Sequence, residues 1–320
     1  MIAILGAFDG FHRGHARLLE RGRALAREEA LRGGDGKWCV VTFSPHPANV
    51  ISGKSIPVLF TENERDALSR ALAIPETVKI PFSRDLANLS SAAFLEYLER
   101  LLPVSGIVVG QDFRFGRNRE GDTSFLRKYA EKKKWLFQDV EPFTMGGKKV
   151  GSSGIRNLVA HGDAAGARNM LGYPYFFEGE VVPGDGRGRK LGFPTANVRY
   201  PGGKVLPRRG VYAVSVLVRS GWHPGALNIG YNPTFPAERD LRAETYIIGF
   251  QGDLYGVPIA VFLEKFLREE LKFDSLPALI SQMEKDVENS RIVSLASMEH
   301  EPRLYEDLLS AFCPSSRHPL

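Results

Sequence analysis

Residues 6–19 read GAFDGFHRGHARLL and follow directly on the apolar run IAIL, residues 2–5. Four apolar residues ending at a glycine predict a buried strand that feeds a turn. Residues 16–30 carry apolar positions at helical spacing and predict a helix. The quoted stretch is therefore a strand-to-helix corner, in a turn opened by Gly6, Gly10 and Gly14. His12 and His15 stand three apart, so at a helix start both rings can face one point. The unpaired N–H groups and positive dipole end of that helix suit an anion such as phosphate. Metal binding is the rival reading, and no third ligand stands nearby in the sequence.

Composition narrows the class. The chain has 320 residues, enough for two domains, with 43% hydrophobic and 25% charged residues, the balance of a globular protein. Its net charge of +5 suits phosphate-bearing small molecules as well as nucleic acid and by itself selects neither. The basic residues are dispersed and form no aromatic-basic stripe, which argues against nucleic-acid binding. Two cysteines, Cys39 and Cys313, build no disulfide framework and predict a reducing compartment. No signal peptide or apolar run of membrane-spanning length is read, so a cytoplasmic, membrane-free protein is expected.

Short apolar strands alternate with helices through the first half: strands at 38–43, 78–80, 106–109 and 135–140, helices at 61–73, 92–102 and from 123. Thr61-Glu62-Asn63-Glu64 is a capping-box signature. This rhythm predicts a doubly wound parallel sheet whose ligands sit beyond the carboxyl ends of its strands. After about residue 172 the rhythm changes to extended segments at 176–182, 211–219, 226–229, 243–250 and 259–265, with one helix over 275–291. That pattern predicts a small antiparallel barrel closed by a helix. The expected domains are 1–172 and 173–320, the tail after residue 291 forming a capping helix over 303–312 or a mobile end.

Several motifs together resemble one family. GAFDGFHRGH is similar to the His-x-Gly-His signature of nucleotidylyltransferases in its FAD synthetase form. VVTFSPHP (40–47), GQDFRFGRNREGD (110–122) and GSSGIRN (151–157) agree with it. Downstream, GDGRGRKLGFPTANV (184–198), LPRRGVYAV (206–214), NIGYNPTF (228–235) and AETYIIGFQGDLYG (243–256) resemble the riboflavin kinase module. In order and coverage, to about residue 291, the set resembles the two-domain bacterial riboflavin kinase/FMN adenylyltransferases. A different nucleotidylyltransferase with a barrel binding module is the alternative, as is an FAD synthetase with weak or absent kinase activity.

The resemblance implies a nucleotidylyltransferase domain that joins FMN to ATP and a β-barrel domain that phosphorylates riboflavin with ATP and Mg²⁺. It implies that His12 and His15 hold the triphosphate with Gly6, Phe8, Asp9, Ser152, Ser153 and Arg156, while Asp112 and Phe113 lie by the flavin. Independently, Ser-Ser at a helix start with Arg in the first turn is an anion cradle or a plain N-cap. In the kinase half it implies ATP binding by Gly184, Gly186, Arg187, Gly188 and Lys190. Thr195 and Asn197 offer hard oxygens for Mg²⁺, and Glu244 is implied as the base. Asn232, Tyr246 and Gly249 depart from the usual kinase pattern and weaken the expectation of kinase strength.

Overall fold

The computed structural model describes every residue except 54, 185, 232–240 and 313–320. The chain divides into two compact units: Met1–Val58 with Leu72–Ser152, and Leu59–Ala71 with Ser153–Leu320.

The first unit is a five-stranded parallel sheet, ordered β3-β2-β1-β4-β5. Its strands are β1 (Ile2–Leu5), β2 (Trp38–Ser44), β3 (Thr77–Pro81), β4 (Gly106–Gly110) and β5 (Leu136–Val140). Around them run α1 (Arg13–Leu31), α2 (Pro47–Ser52), α4 (Arg84–Ala87), α5 (Ser91–Leu101) and α6 (Thr123–Lys133), with α3 (Glu62–Ala71) belonging to the other unit. The all-apolar β1 is wholly buried, paired in parallel with β2 on one side and β4 on the other. Gly22 lets α1 lie close on that strand: a Cβ there would fall 2.1 Å from Ile4 Cδ1. On one face Leu5, Val41, Phe43, Ile107 and Val109 pack with Phe94, Leu95 and Leu98 of α5 and Leu126 of α6. A hairpin of β6 (Thr144–Met145) and β7 (Lys148–Lys149) follows β5.

The second unit is a closed barrel ordered β10-β11-β12-β9-β8-β13. It contains α7 (Ser152–Ala160, whose first residue ends the other unit), α8 (Ala164–Leu171), β8 (Phe176–Val182), α9 (Arg187–Lys190) and β9 (Thr195–Arg199). There follow β10 (Gly210–Val218), β11 (Gly221–Tyr231), β12 (Leu241–Ile247), β13 (Pro258–Arg268), α10 (Leu276–His300) and α11 (Pro302–Phe312). Sequence patterning missed β9 altogether and stopped α10 at 291. The tail forms α11, a packed helix: Tyr305, Leu308 and Ala311 are buried, and Phe312 meets Phe176 and Phe262 edge-on at 5.3 and 6.0 Å. Asn232 and Cys313 lie outside the described residues.

Two buried polar knots hold this unit. Glu64 and Lys204 form an ion pair of 2.6 Å with both side chains wholly buried. Glu64 also accepts N–H groups from Thr61 and Glu178, and Lys204 sits 4.4 Å from the centre of the Phe60 ring. The capping box read at Thr61 therefore does double duty: it starts α3 and turns Glu64 toward β8 and Lys204. In the second knot Glu264 accepts from Arg168 (2.5 Å), Ser215 (2.8 Å) and Tyr305 (2.5 Å), joining α8, β10, β13 and α11. Every lone pair buried this way needs such a donor, since an unmet one costs about 1–3 kcal/mol.

Candidate active sites

In the first unit α1 begins three residues earlier than patterning predicts, and His12 is its N-cap. The His12 Nδ1 accepts the His15 backbone N–H at 3.2 Å. A neutral His12 therefore carries its proton on Nε2 and can donate it outward. His15 Nδ1 donates to the Gly10 carbonyl at 2.5 Å, which leaves its Nε2 as a bare lone pair. The two rings stack at 3.7 Å and 16°, and Phe8 lies 4.6 Å from His15. Gly14 leaves room for the His12 ring: a Cβ there would lie 3.0 Å from His12 Cε1 and press on it. Burial, with the neighbouring His15, lowers the His12 pKa to about 2; burial lowers that of His15 to about 4, against the pull of its Gly10 bond and Asp9. Both rings are neutral at pH 7.

These rings open onto a cavity of about 950 Å³. Leu5, Gly110 and Val140, at the carboxyl ends of β1, β4 and β5, line it. The chain runs from β1 to β2 on one side and later to β4 on the other, so this is the topological switch point where doubly wound sheets bind ligands. Gly6, His12, His15, Asp112 and Phe113 line the cavity. Phe8 and Asp9 are buried beneath the turn instead. Ser153 and Arg156 share the first turns of α7 behind Ser152, with Arg156 donating to Ser153 Oγ at 3.4 Å.

Sequence reasoning missed three parts of this wall. Lys149 of β7 pairs with Asp112, and only the fold brings them together across 37 residues. Asn118 and Arg119 hold left-handed backbone, φ 53 and 60, and line the cavity. His46, Pro47, Ala48 and Ile51 at α2 line it as well. The quoted VVTFSPHP and GRNREGD motifs were the available signal, without a role attached.

In the barrel, register does the assembling. Asn197 of β9 pairs with Glu244 of β12, and Thr195 pairs with Tyr246. Residues two apart share a face of a strand, so Thr195, Asn197, Glu244 and Tyr246 lie together. Ala243, Thr245 and Ile247 take the opposite, buried face. Glu244 is half-buried. The glycine loop lies against the same residues: a Cβ at Gly184 would fall 2.0 Å from Asn197 Nδ2, and one at Gly188 would fall 3.4 Å from Thr195 Oγ1. Gly186 is left-handed at φ 64 and caps α9; the side chains of Arg187 and Lys190 lie outside the described residues. Tyr246 packs edge-on against Phe193 at 5.5 Å, and Gly249 occupies a turn at φ 76. Among the described residues no cluster of three His, Cys, Asp or Glu side chains could hold a metal.

Two family models match this chain in tandem: FAD synthetase over residues 1–154 and riboflavin kinase over 171–294. Curated relatives match across both. A bifunctional riboflavin kinase/FMN adenylyltransferase of Listeria monocytogenes is 34% identical over 91% of this chain and 91% of its own. The chain belongs to that bifunctional family. Relatives of the same description from Pseudomonas fluorescens and Escherichia coli K12 are each 34% identical, over 92% and 89% of this chain and 94% and 90% of their own. A solved structure from Streptococcus pneumoniae, described as a macrolide-efflux protein, has a TM-score of 0.82 and 29% identity, over 91% of this chain and 93% of its own. No helix among the described residues of the present chain is long and apolar enough to cross a membrane.

Proposed function

We propose that this transferase makes FMN from riboflavin and ATP in its barrel, and FAD from FMN and ATP at the histidine pocket, releasing pyrophosphate. The observation that supports this reading is that the His12–His15 pair opens onto a cavity at the strand ends of the first unit, while Thr195, Asn197 and Glu244 share one face of the barrel in the second. The cytoplasm, with its ATP, is the compartment it implies, and 172/173 is its working boundary between the two activities.

For adenylyl transfer, an FMN phosphate oxygen bonds to the α-phosphorus of ATP while the bond to the pyrophosphate oxygen breaks. No protein nucleophile is required, so the residues act by position and charge. His12 Nε2–H is a fixed donor for a phosphate oxygen, and an arriving polyphosphate favours protonation of His15 Nε2. Ser152, Ser153 and Arg156 supply further donors for phosphate. Gly6, Phe8 and Asp9 shape the turn that presents the histidines, and Asp112 and Phe113 line the flavin side.

For phosphorylation, the ribityl 5′-oxygen bonds to the γ-phosphorus, ADP leaves, and Glu244 takes the hydroxyl proton. Gly184, Gly186, Arg187, Gly188 and Lys190 form the ATP loop. Thr195 and Asn197, with their hard oxygens on the face beside that loop, fit Mg²⁺. When bound, Mg²⁺ neutralises phosphate charge. Incubation with riboflavin, ATP and Mg²⁺, followed by chromatography, tests both steps: FMN and then FAD are expected. Absence of FMN would remove the kinase assignment, and FMN without FAD the other.

A further inference from the structure

Asn228, the first residue of the NIGYNPTF stretch, has no role in the reading above. It sits on β11 directly opposite Glu244 of β12, which in turn faces Asn197 of β9. Three adjacent strands thus carry Asn197, Glu244 and Asn228 in one row on one face. Directly paired residues on neighbouring strands hold their Cβ atoms about 4.5–5.5 Å apart, so each amide is within side-chain reach of the carboxylate. Asn228 is half-buried. Its neighbour two residues on, Gly230, carries no side chain, and the Glu270 carboxylate reaches over that position instead: a Cβ there would come within 2.6 Å of Glu270 Oε1 and 3.7 Å of Asn228 Nδ2.

The row has a direction. The glycine loop touches its Asn197 end, where Gly184 abuts the Asn197 amide. With the phosphate donor at that end and the accepting hydroxyl at Glu244, the remainder of the acceptor continues toward Asn228. That remainder is a chain of vicinal hydroxyls, each both donor and acceptor. A primary amide answers both functions, offering two N–H donors and a carbonyl acceptor. The geometry points to Asn228 as the residue that recognises the hydroxyl next to the one phosphorylated, making it a specificity residue for a polyol acceptor. This inference rests on the kinase reading of the barrel and names the acceptor side of that same site.

The test compares riboflavin with 4′-deoxyriboflavin, which lacks the neighbouring hydroxyl, in the full-length enzyme with ATP and Mg²⁺. Wild-type enzyme is expected to prefer riboflavin about tenfold in kcat/KM, the size of one hydrogen bond. Asn228→Ala is expected to lose that preference, raising the KM for riboflavin about tenfold with the KM for ATP within twofold. Asn228→Ser, which keeps a donor and acceptor on a shorter arm, is expected to restore part of it. Circular dichroism and the thermal melt of the full-length protein report folding of the barrel, and flavin fluorescence quenching reads acceptor binding without turnover. If Asn228 instead only braces Glu270 or the sheet, Asn228→Ala will slow both acceptors equally and keep the preference, which overturns the proposal. A change confined to ATP overturns it too. A wild-type enzyme that phosphorylates neither acceptor while remaining folded would overturn the kinase reading itself.

Discussion

His12 and His15 stack ring on ring at 3.7 Å, in a pocket where burial lowers both pKa values, to about 2 and about 4. Two adjacent imidazoles that stay neutral avoid mutual repulsion while the pocket awaits an anion.

Their titration makes stability depend on pH in a definite window. Below about 6.5 the unfolded chain binds protons at both positions, whereas the folded pair stays neutral down to about 4 for His15 and about 2 for His12. Stability is therefore full above about 6.5 and falls as pH drops from there. Thermal melts from pH 7.5 to 4.5 are expected to show a shallower decline for His12→Asn or His15→Asn than for wild type. Parallel declines would contradict the lowered values.

The two activities are expected to separate by mutation. His12→Ala and His15→Ala should each cut FAD formation by about 10²-fold or more while riboflavin is still phosphorylated, so that FMN accumulates. Glu244→Gln should cut FMN formation by about 10²-fold and leave adenylylation of supplied FMN unchanged. Assays started from riboflavin and, separately, from FMN decide the assignment; loss of both activities in a folded variant would refute it.

Gly14→Ala isolates geometry from chemistry. Alanine favours the helix by up to about 1 kcal/mol over glycine, yet its Cβ would press on the His12 ring at 3.0 Å. FAD formation is expected to fall by about 10- to 100-fold with the melting temperature held or raised. A variant with normal FAD synthesis would show that the ring can shift freely.

The Glu64–Lys204 pair is expected to be costly to break and cheap to replace. Lys204→Met leaves a buried carboxylate uncompensated and should destabilise the protein by about 3–5 kcal/mol, and adding Glu64→Gln should recover much of that. Urea unfolding of the single and double variants measures it. The same pair bears on truncation: a fragment of residues 1–172 keeps Glu64, Leu59 and Phe60 but loses Lys204, Tyr175 and Phe176. Its melting temperature is expected to rise with Glu64→Gln.

Much of the proposed adenylylation site is legible in the sequence because it is local. His12, Gly14 and His15 lie within four residues, and a capped helix start brings them together whatever surrounds it. Its far wall is not, since Lys149 meets Asp112 across 37 residues and a hairpin of two-residue strands. The kinase residues were legible as motifs but not as a site. Thr195 to Arg199 contain one strongly apolar residue, Val198, so no alternation announces β9.

By itself, then, the sequence determined the α/β rhythm, the glycine turn, the histidine pair and the capping box at Thr61, because each closes its hydrogen bonds or shows its period within a few residues. Only the tertiary structure decided that Glu64 of this capping box meets Lys204, a lysine in a Gly-rich stretch that patterning alone would leave in solvent. It also decided that Asn197, Glu244 and Asn228 form one row. The physical reason is the same in both cases. Strand register and burial are settled by packing between residues 16 to 140 apart, and no local spacing encodes which of them will meet.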